Sequence, residues 1–117
     1  MKFVYFIQAG NDGPIKIGIA QDVPRRLTLM QHANAEVLWL LTYVPGAPKL
    51  ERLLHKHFAG GRLRGEWFDP ATAGLRDFID WLREDIAMPA VDMGQWPAWT
   101  FAGGGERLYK KVAERLG

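Results

Sequence analysis

Two short apolar runs, KFVYFIQ at residues 2–8 and IKIGI at 15–19, stand on either side of the segment AGNDGP. Nothing else in the chain limits its folding options so tightly. Asn, Asp and two glycines tolerate the positive φ angles of a tight turn. The flanking runs are rich in β-branched and aromatic residues, as strands are. The chain therefore opens with an antiparallel hairpin. Gly18 interrupts the second strand, which is tolerated where another backbone or a ligand comes close. Lys16 is also unusual there, since a lysine in a strand normally marks a sheet edge.

Beyond the hairpin, Asp22 is an N-cap and Pro24 lies in the first turn of a helix over 23–32. The run EVLWLLTYV at 36–44 is nearly continuous in its apolarity and predicts a strand in the middle of the sheet. Pro45-Gly46-Ala47-Pro48 breaks the chain, a helix follows over 48–59, and Gly60-Gly61 ends it. After a loop at 61–69, Leu75, Phe78, Ile79, Leu82 and Ile86 are spaced as one face of a helix over 70–86. Residues 87–105 read as an irregular connection and 106–116 as a short basic helix, docked on this body or on a partner subunit. The fold class is α/β in the α+β sense: three antiparallel strands flanked by helices. Residues 1–86 form the domain, and 87–117 form an extension that is not an independent domain.

At 117 residues, 48% hydrophobic and 24% charged, the chain is long enough for one modest core and too apolar for disorder. The lack of cysteine excludes disulfides and thiolate metal sites, and fits a cytoplasmic setting. No apolar stretch reaches the length of a membrane span. Charge is segregated. Residues 1–64 carry nine Lys/Arg against four acids, whereas 65–92 carry two against seven. A positive face for a polyanion and a chance clustering of solvated side chains both satisfy that pattern.

At 100° per residue, Leu50, Leu53, Leu54, His57 and Phe58 share the buried arc of helix 48–59, with His57 as a hydrogen-bonded core histidine. Glu51 and His55, at i and i+4, lie together on its border. A half-desolvated carboxylate at such an edge suits a metal ligand, and spacing alone also fits a surface Glu–His pair. Arg25 and Arg26 sit just inside a helix N-terminus, where they do not help its dipole. Phosphate binding is one benefit that would retain them. Leu27, Leu29 and Met30 face inward. Tyr5 and Lys16 stand on facing strands, and a lysine there favours a phenolate or neutralises a phosphate. Glu66-Trp67-Phe68 has two readings: structurally Trp67 and Phe68 close the core under the sheet, and functionally Glu66 is a second acid near a metal. Trp96, Trp99 and Phe101 either pack back or stack on bases.

Phe3-Val4-Tyr5, Lys16-Ile17-Gly18, Arg26, Glu51 and the pattern ERLLHKHF…GEWF, over residues 2–69, together resemble the GIY-YIG nuclease family. The likeness is to a compact phage and bacterial branch with lysine in the second motif. Phe3 stands where that family has glycine, and Lys16 where it has tyrosine. The resemblance implies a small endonuclease that hydrolyses phosphodiester bonds in DNA, with RNA not excluded. It implies one Mg²⁺ or Mn²⁺ on Glu51, catalytic Tyr5, Lys16, Arg26 and His55, and nucleic-acid contacts from Arg25, Arg26 and Lys16. A homodimer through the C-terminal extension is left open. The alternative is a nucleic-acid-binding module of the same fold without turnover, to which the two altered motifs point. An interaction protein in which all these residues are structural is a third reading.

Overall fold

The computed structural model describes residues 2–85 and 104–117, with the side chains of 104–106 excepted. The expected hairpin is present: β1 (Phe3–Ala9) pairs antiparallel with β2 (Ile15–Ala20), with Tyr5 opposite Gly18 and Ile7 opposite Lys16. Gly10, in the turn, has φ 65°. Helix α1 spans Val23–His32, and Asp22 caps it by accepting from the Arg25 backbone N–H at 3.0 Å. Strand β3 (Leu38–Pro45), helix α2 (Pro48–His57), strands β4 (Arg62–Arg64) and β5 (Trp67–Phe68), and helices α3 (Leu75–Asp85) and α4 (Gly104–Leu116) complete the chain.

The architecture is α+β around an antiparallel sheet, with five strands rather than three, in the order β3-β1-β2-β5-β4. The stretch 61–69 is not a loop. It folds as the β4–β5 hairpin around Gly65-Glu66, with Gly65 at φ 55° as a primed two-residue turn requires. Strands of three and two residues are too short to show a period, which is why the sequence pattern hides them.

Strand β3 lies at an edge, not in the middle. The β1–β3 register shifts between Phe6, opposite Thr42, and Ile7, opposite Leu40. Leu41 is the extra residue of that bulge, and it places apolar side chains next to one another in sequence. The run therefore mimics a strand buried on both sides. Helices cover both of its faces: α1 packs on one, and α3 and α4 on the other.

Alternation divides the core in two. Val4, Phe6, Ile15, Ile17, Val44 and Phe68 meet Leu50 and Leu54 of α2, Phe78, Ile79 and Leu82 of α3, and Leu108 and Val112 of α4. On the opposite face, Phe3, Tyr5, Ile7, Ala20 and Tyr43 meet Val23, with Leu27 and Met30 packed at the margin. Leu29 does not face inward and is 56% exposed. His57 is exposed as well, its ring edge-on to Phe58 at 4.7 Å. Only Leu50 and Leu54 of α2 are buried and Leu53 is partly so, which puts the buried arc on the Leu54 side and leaves His57, beyond Leu50 toward Leu53, in solvent. Helix α3 starts at Leu75, after a turn, rather than at 70. The final helix docks on its own chain. Ile86, Trp96, Trp99, Phe101 and most of the connection 87–105 lie outside the described residues. No helix among the described residues is long and apolar enough to cross a membrane.

Candidate functional site: a carboxylate pair at the edge of β2

Strand β5 pairs with only the first part of β2, at Ile15 and Lys16. Just beyond, Ile17 turns both its backbone groups to that side. Its N–H donates to the Glu66 carbonyl at 3.0 Å, and its own carbonyl meets His55 Nε2 at 2.8 Å. A carbonyl only accepts, so Nε2 must carry the proton, and a neutral His55 keeps its lone pair on Nδ1. The ring is further fixed edge-on against Phe68, 5.3 Å between centroids. Helix α2 is thereby pinned to the edge of the sheet one turn after Glu51.

Glu51, His55 and Glu66 converge there, each offering a ligand atom within 4.8 Å of the others. Glu66 Oε2 lies 4.0 Å from His55 Nε2. The Glu51 Oε2 atom is buried and has no hydrogen-bond partner. Glu51 sits in the first turn of α2, where the helix dipole favours a carboxylate. Burial outweighs this, and the neighbouring Glu66 adds to it. Together they push the Glu51 carboxyl up to about 7, against the opposing pull of Arg52 and Lys16. Such a pair holds either a proton or a cation near neutral pH. An orphaned oxygen facing a second carboxylate is a donor set that fits a hard divalent ion.

Across the strand, Tyr5 lies over Gly18. A Cβ on Gly18 would stand 2.3 Å from the Tyr5 hydroxyl, so only glycine leaves room for the ring. Tyr5 is 0% exposed. Its hydroxyl approaches Met30 Sδ at 4.0 Å. Burial raises its pKa above the ordinary value of 10.0, and the adjacent Arg26 guanidinium only partly offsets that. Tyr5 is therefore a neutral phenol at physiological pH. Arg26 itself is exposed, and with Lys2, Arg25, Asp22 and Leu29 it lines a cavity of about 420 Å³ at the far end of the hairpin.

Lys16 does not stand at an edge. It is paired on one side with Ile7 and on the other with Trp67, whose ring centroid is 5.9 Å from its Nζ. By register it shares the Tyr5 face, diagonal to Tyr5. Phe68 joins the main core, whereas Trp67 packs at the margin of the opposite one and is partly exposed. The structure thus gathers Glu51, His55 and Glu66 at one side of β2, and Tyr5, Lys16 and Arg26 along its α1 face. Glu66 sits in the turn of a hairpin whose strands are too short to predict, so its approach to Glu51 is visible only once the hairpin is folded.

A carboxylate pair at a sheet edge, with arginines and a lysine on the adjoining face, defines the chain as an α+β domain with a candidate ion and phosphate site. The chain belongs to the T5orf172 domain family, whose model matches residues 2–83. This corrects the resemblance drawn from the motifs, because T5orf172 is a distinct family and no GIY-YIG model matches. Each name motif survives only in part: Phe3-Val4-Tyr5 lacks the glycine and Lys16-Ile17-Gly18 the tyrosine. The T5orf172 domain is a phage-associated, nuclease-like family, consistent with a function related to nucleic acid. No curated protein and no solved structure matches the chain.

Proposed function

We propose that the protein is a divalent-metal-dependent endonuclease that hydrolyses phosphodiester bonds in DNA. The observation that carries this reading is the Glu51–Glu66 pair, with its orphaned buried oxygen, in a domain that also carries Lys16 on β2 and Arg26 on α1. Glu51 and Glu66 would hold one Mg²⁺ or Mn²⁺, an ion that takes few carboxylates and keeps several waters. When bound, the ion supplies charge stabilisation at the phosphoryl and leaving oxygens.

The remaining roles fall to the chain's own side chains. Arg26 clamps the scissile phosphate and offsets its developing charge, because a guanidinium matches two phosphate oxygens at once. Lys16 adds a second positive charge on the same face. Arg25, exposed at the preceding position of α1, binds a flanking phosphate. Tyr5 enters as a neutral phenol, so it is no ready phenolate base: it would take the proton of the attacking water only as it passes its own hydroxyl proton on to solvent water. His55, held by Ile17, is a positioning residue that keeps Glu51 at the strand edge.

The test is cleavage of supercoiled plasmid and single-stranded DNA with Mg²⁺, Mn²⁺ or EDTA, beside the Glu51→Ala variant. Metal-dependent cutting that the substitution removes is the expected result. Folded wild-type protein that never cuts overturns it. One observation favours a second reading, a nucleic-acid-binding module without turnover: Tyr5 has no exposed surface. That module would still bind DNA, with an affinity falling steeply as salt rises.

A further inference from the structure

The β4–β5 hairpin builds a cavity that the proposed chemistry leaves unused. It measures about 390 Å³ and is lined by Ala9, Pro14, Asn34, Leu63, Arg64 and Trp67. Three observations give it a character. The first is a row across the sheet: Lys16 pairs with Trp67, and Trp67 with Arg64. Residues directly opposite share a face, so the indole stands between two cations on the Tyr5 side of the sheet.

The second is a bulge. The β4–β5 register shifts between Arg62 and Arg64, leaving Leu63 without a partner. Strict alternation would send Leu63 to the opposite face from Arg64. The bulge re-aims it, and Leu63 lines the same cavity as Trp67 and Arg64 while 55% exposed. Leu63 and the partly exposed indole thereby present adjoining apolar surfaces to the same cavity. The third is Asn34, whose Oδ1 accepts from the Glu36 backbone N–H at 3.0 Å, which turns its amide donors outward from that bond.

An aromatic face, an aliphatic wall, a side-chain amide and flanking cations match the chemistry of a heteroaromatic ring joined to phosphate. Single-strand binders use the same combination, stacking bases on aromatic side chains within a basic groove. We propose that this cavity is a subsite for one unpaired nucleobase of the bound strand. The base stacks on Trp67 against Leu63, and Lys16 and Arg64 hold the phosphates on either side of it. Trp67 stands on the Tyr5 face of the sheet, paired with Lys16, so the stacked base lies along the face that carries Tyr5, Lys16 and Arg26. The inference rests on the nucleic-acid reading above and narrows it to strands with an unpaired base near the site of attack.

The experiment compares two labelled ligands by fluorescence anisotropy in EDTA: short oligothymidylate, and an abasic deoxyribose-phosphate oligomer of the same length. Wild-type protein should bind oligothymidylate about fivefold or more tightly than the abasic chain, the low end of stacking energies. Trp67→Leu should abolish that advantage. Leu63→Ala, at an exposed position that the fold does not depend on, should reduce it. Equal binding of the two ligands by the wild type overturns the base subsite and leaves nucleic-acid binding intact. An advantage kept by both variants overturns it too, placing the base elsewhere. Binding of neither ligand overturns the nucleic-acid reading itself, and this subsite with it.

Discussion

Glu51 is where burial and charge most directly become function. Its carboxyl titrates at about 7 in the folded protein, against 4.5 for the ordinary group. The folded state therefore holds this proton more tightly than the unfolded state. Stability is at its full value below pH 4.5, falls as pH rises toward 7, and is level again beyond. Glu51→Gln keeps the shape and removes the charge. In EDTA at pH 8 it should stabilise the protein by about 1 kcal/mol, a figure discounted for solvent screening because the side chain is only partly buried. That corresponds to a rise of roughly 4 °C in Tm, and at pH 4 the melts of variant and wild type should coincide. The same proton competes with a cation. Mn²⁺ affinity, followed by calorimetry, should climb about tenfold per pH unit below 7 and flatten above it, since a carboxylate must lose its proton to bind metal. An affinity independent of pH would remove Glu51 from the ion's shell. Tyr5→Phe tests the other side of the strand. It should abolish cleavage yet cost less than about 1.5 kcal/mol in denaturant unfolding, because the hydroxyl's nearest sulfur contact is long, at 4.0 Å.

At the scale of the element, β2 organises the site, and its sequence shows why. Ile15 and Ile17 point into the main core, while Lys16, Gly18 and Ala20 present the opposite face to Tyr5 and α1. Gly18→Ala would set a methyl 2.3 Å from the Tyr5 hydroxyl and 2.4 Å from Cζ, so the ring must leave its place. The expected cost is about 1–3 kcal/mol in chemical denaturation, with cleavage lost as for Tyr5→Phe. An unperturbed stability would mean that Tyr5 does not lie over this strand. The hairpin, α1 and its Asp22 cap were legible in the sequence because each has a local chemical cause: turn residues, a side-chain acceptor, a proline in the first turn. The edge position of β3 was not, because the bulge at Leu41 disguises alternation as a continuous run. Nor was the second hairpin. Its two strands are held by pairing with β2 and by Gly65 rather than by any pattern of their own. With it went the approach of Glu66 to Glu51, whereas the proximity of Glu51 to His55 follows from helical spacing alone. His57 was misplaced because Leu53 was counted as fully buried, which widens the arc toward His57, whereas only Leu50 and Leu54 of α2 are buried.

For the whole molecule, the sheet divides labour between its faces. The α1 side carries Lys16, Arg25, Arg26 and Arg64, whereas acid-rich α3 packs with α2 and α4 on the other. The far side is not acidic as a whole, because α2 and α4 beside α3 carry Arg52, Lys56, Arg107, Lys110, Lys111 and Arg115, so the uneven charge along the chain is not repeated as one basic and one acidic face. The far side is completed by a helix that the family model, ending at residue 83, does not reach. Leu108 is 0% and Val112 1% exposed, both within the core that also contains Leu50 and Leu54. Lys49 Nζ stands 4.5 Å from the Tyr109 ring centroid, and the Arg115 guanidinium 4.9 Å from that of Trp81. Helix α4 therefore backs α2, the element that presents Glu51 and His55 at the strand edge. Leu108→Ala should cost about 2–5 kcal/mol, as truncations of buried leucines do. Lys111→Ala, one turn on and exposed, should stay within about 0.5 kcal/mol of wild type. Because α2 is supported from behind, the leucine variant should also weaken Mn²⁺ binding at temperatures where it is still folded. Thermal melts paired with calorimetry on both variants separate the possibilities. A Leu108→Ala protein as stable as wild type would show that α4 is not docked on the main core. One that is destabilised but binds Mn²⁺ normally would show that α2 holds the carboxylate pair without help from α4.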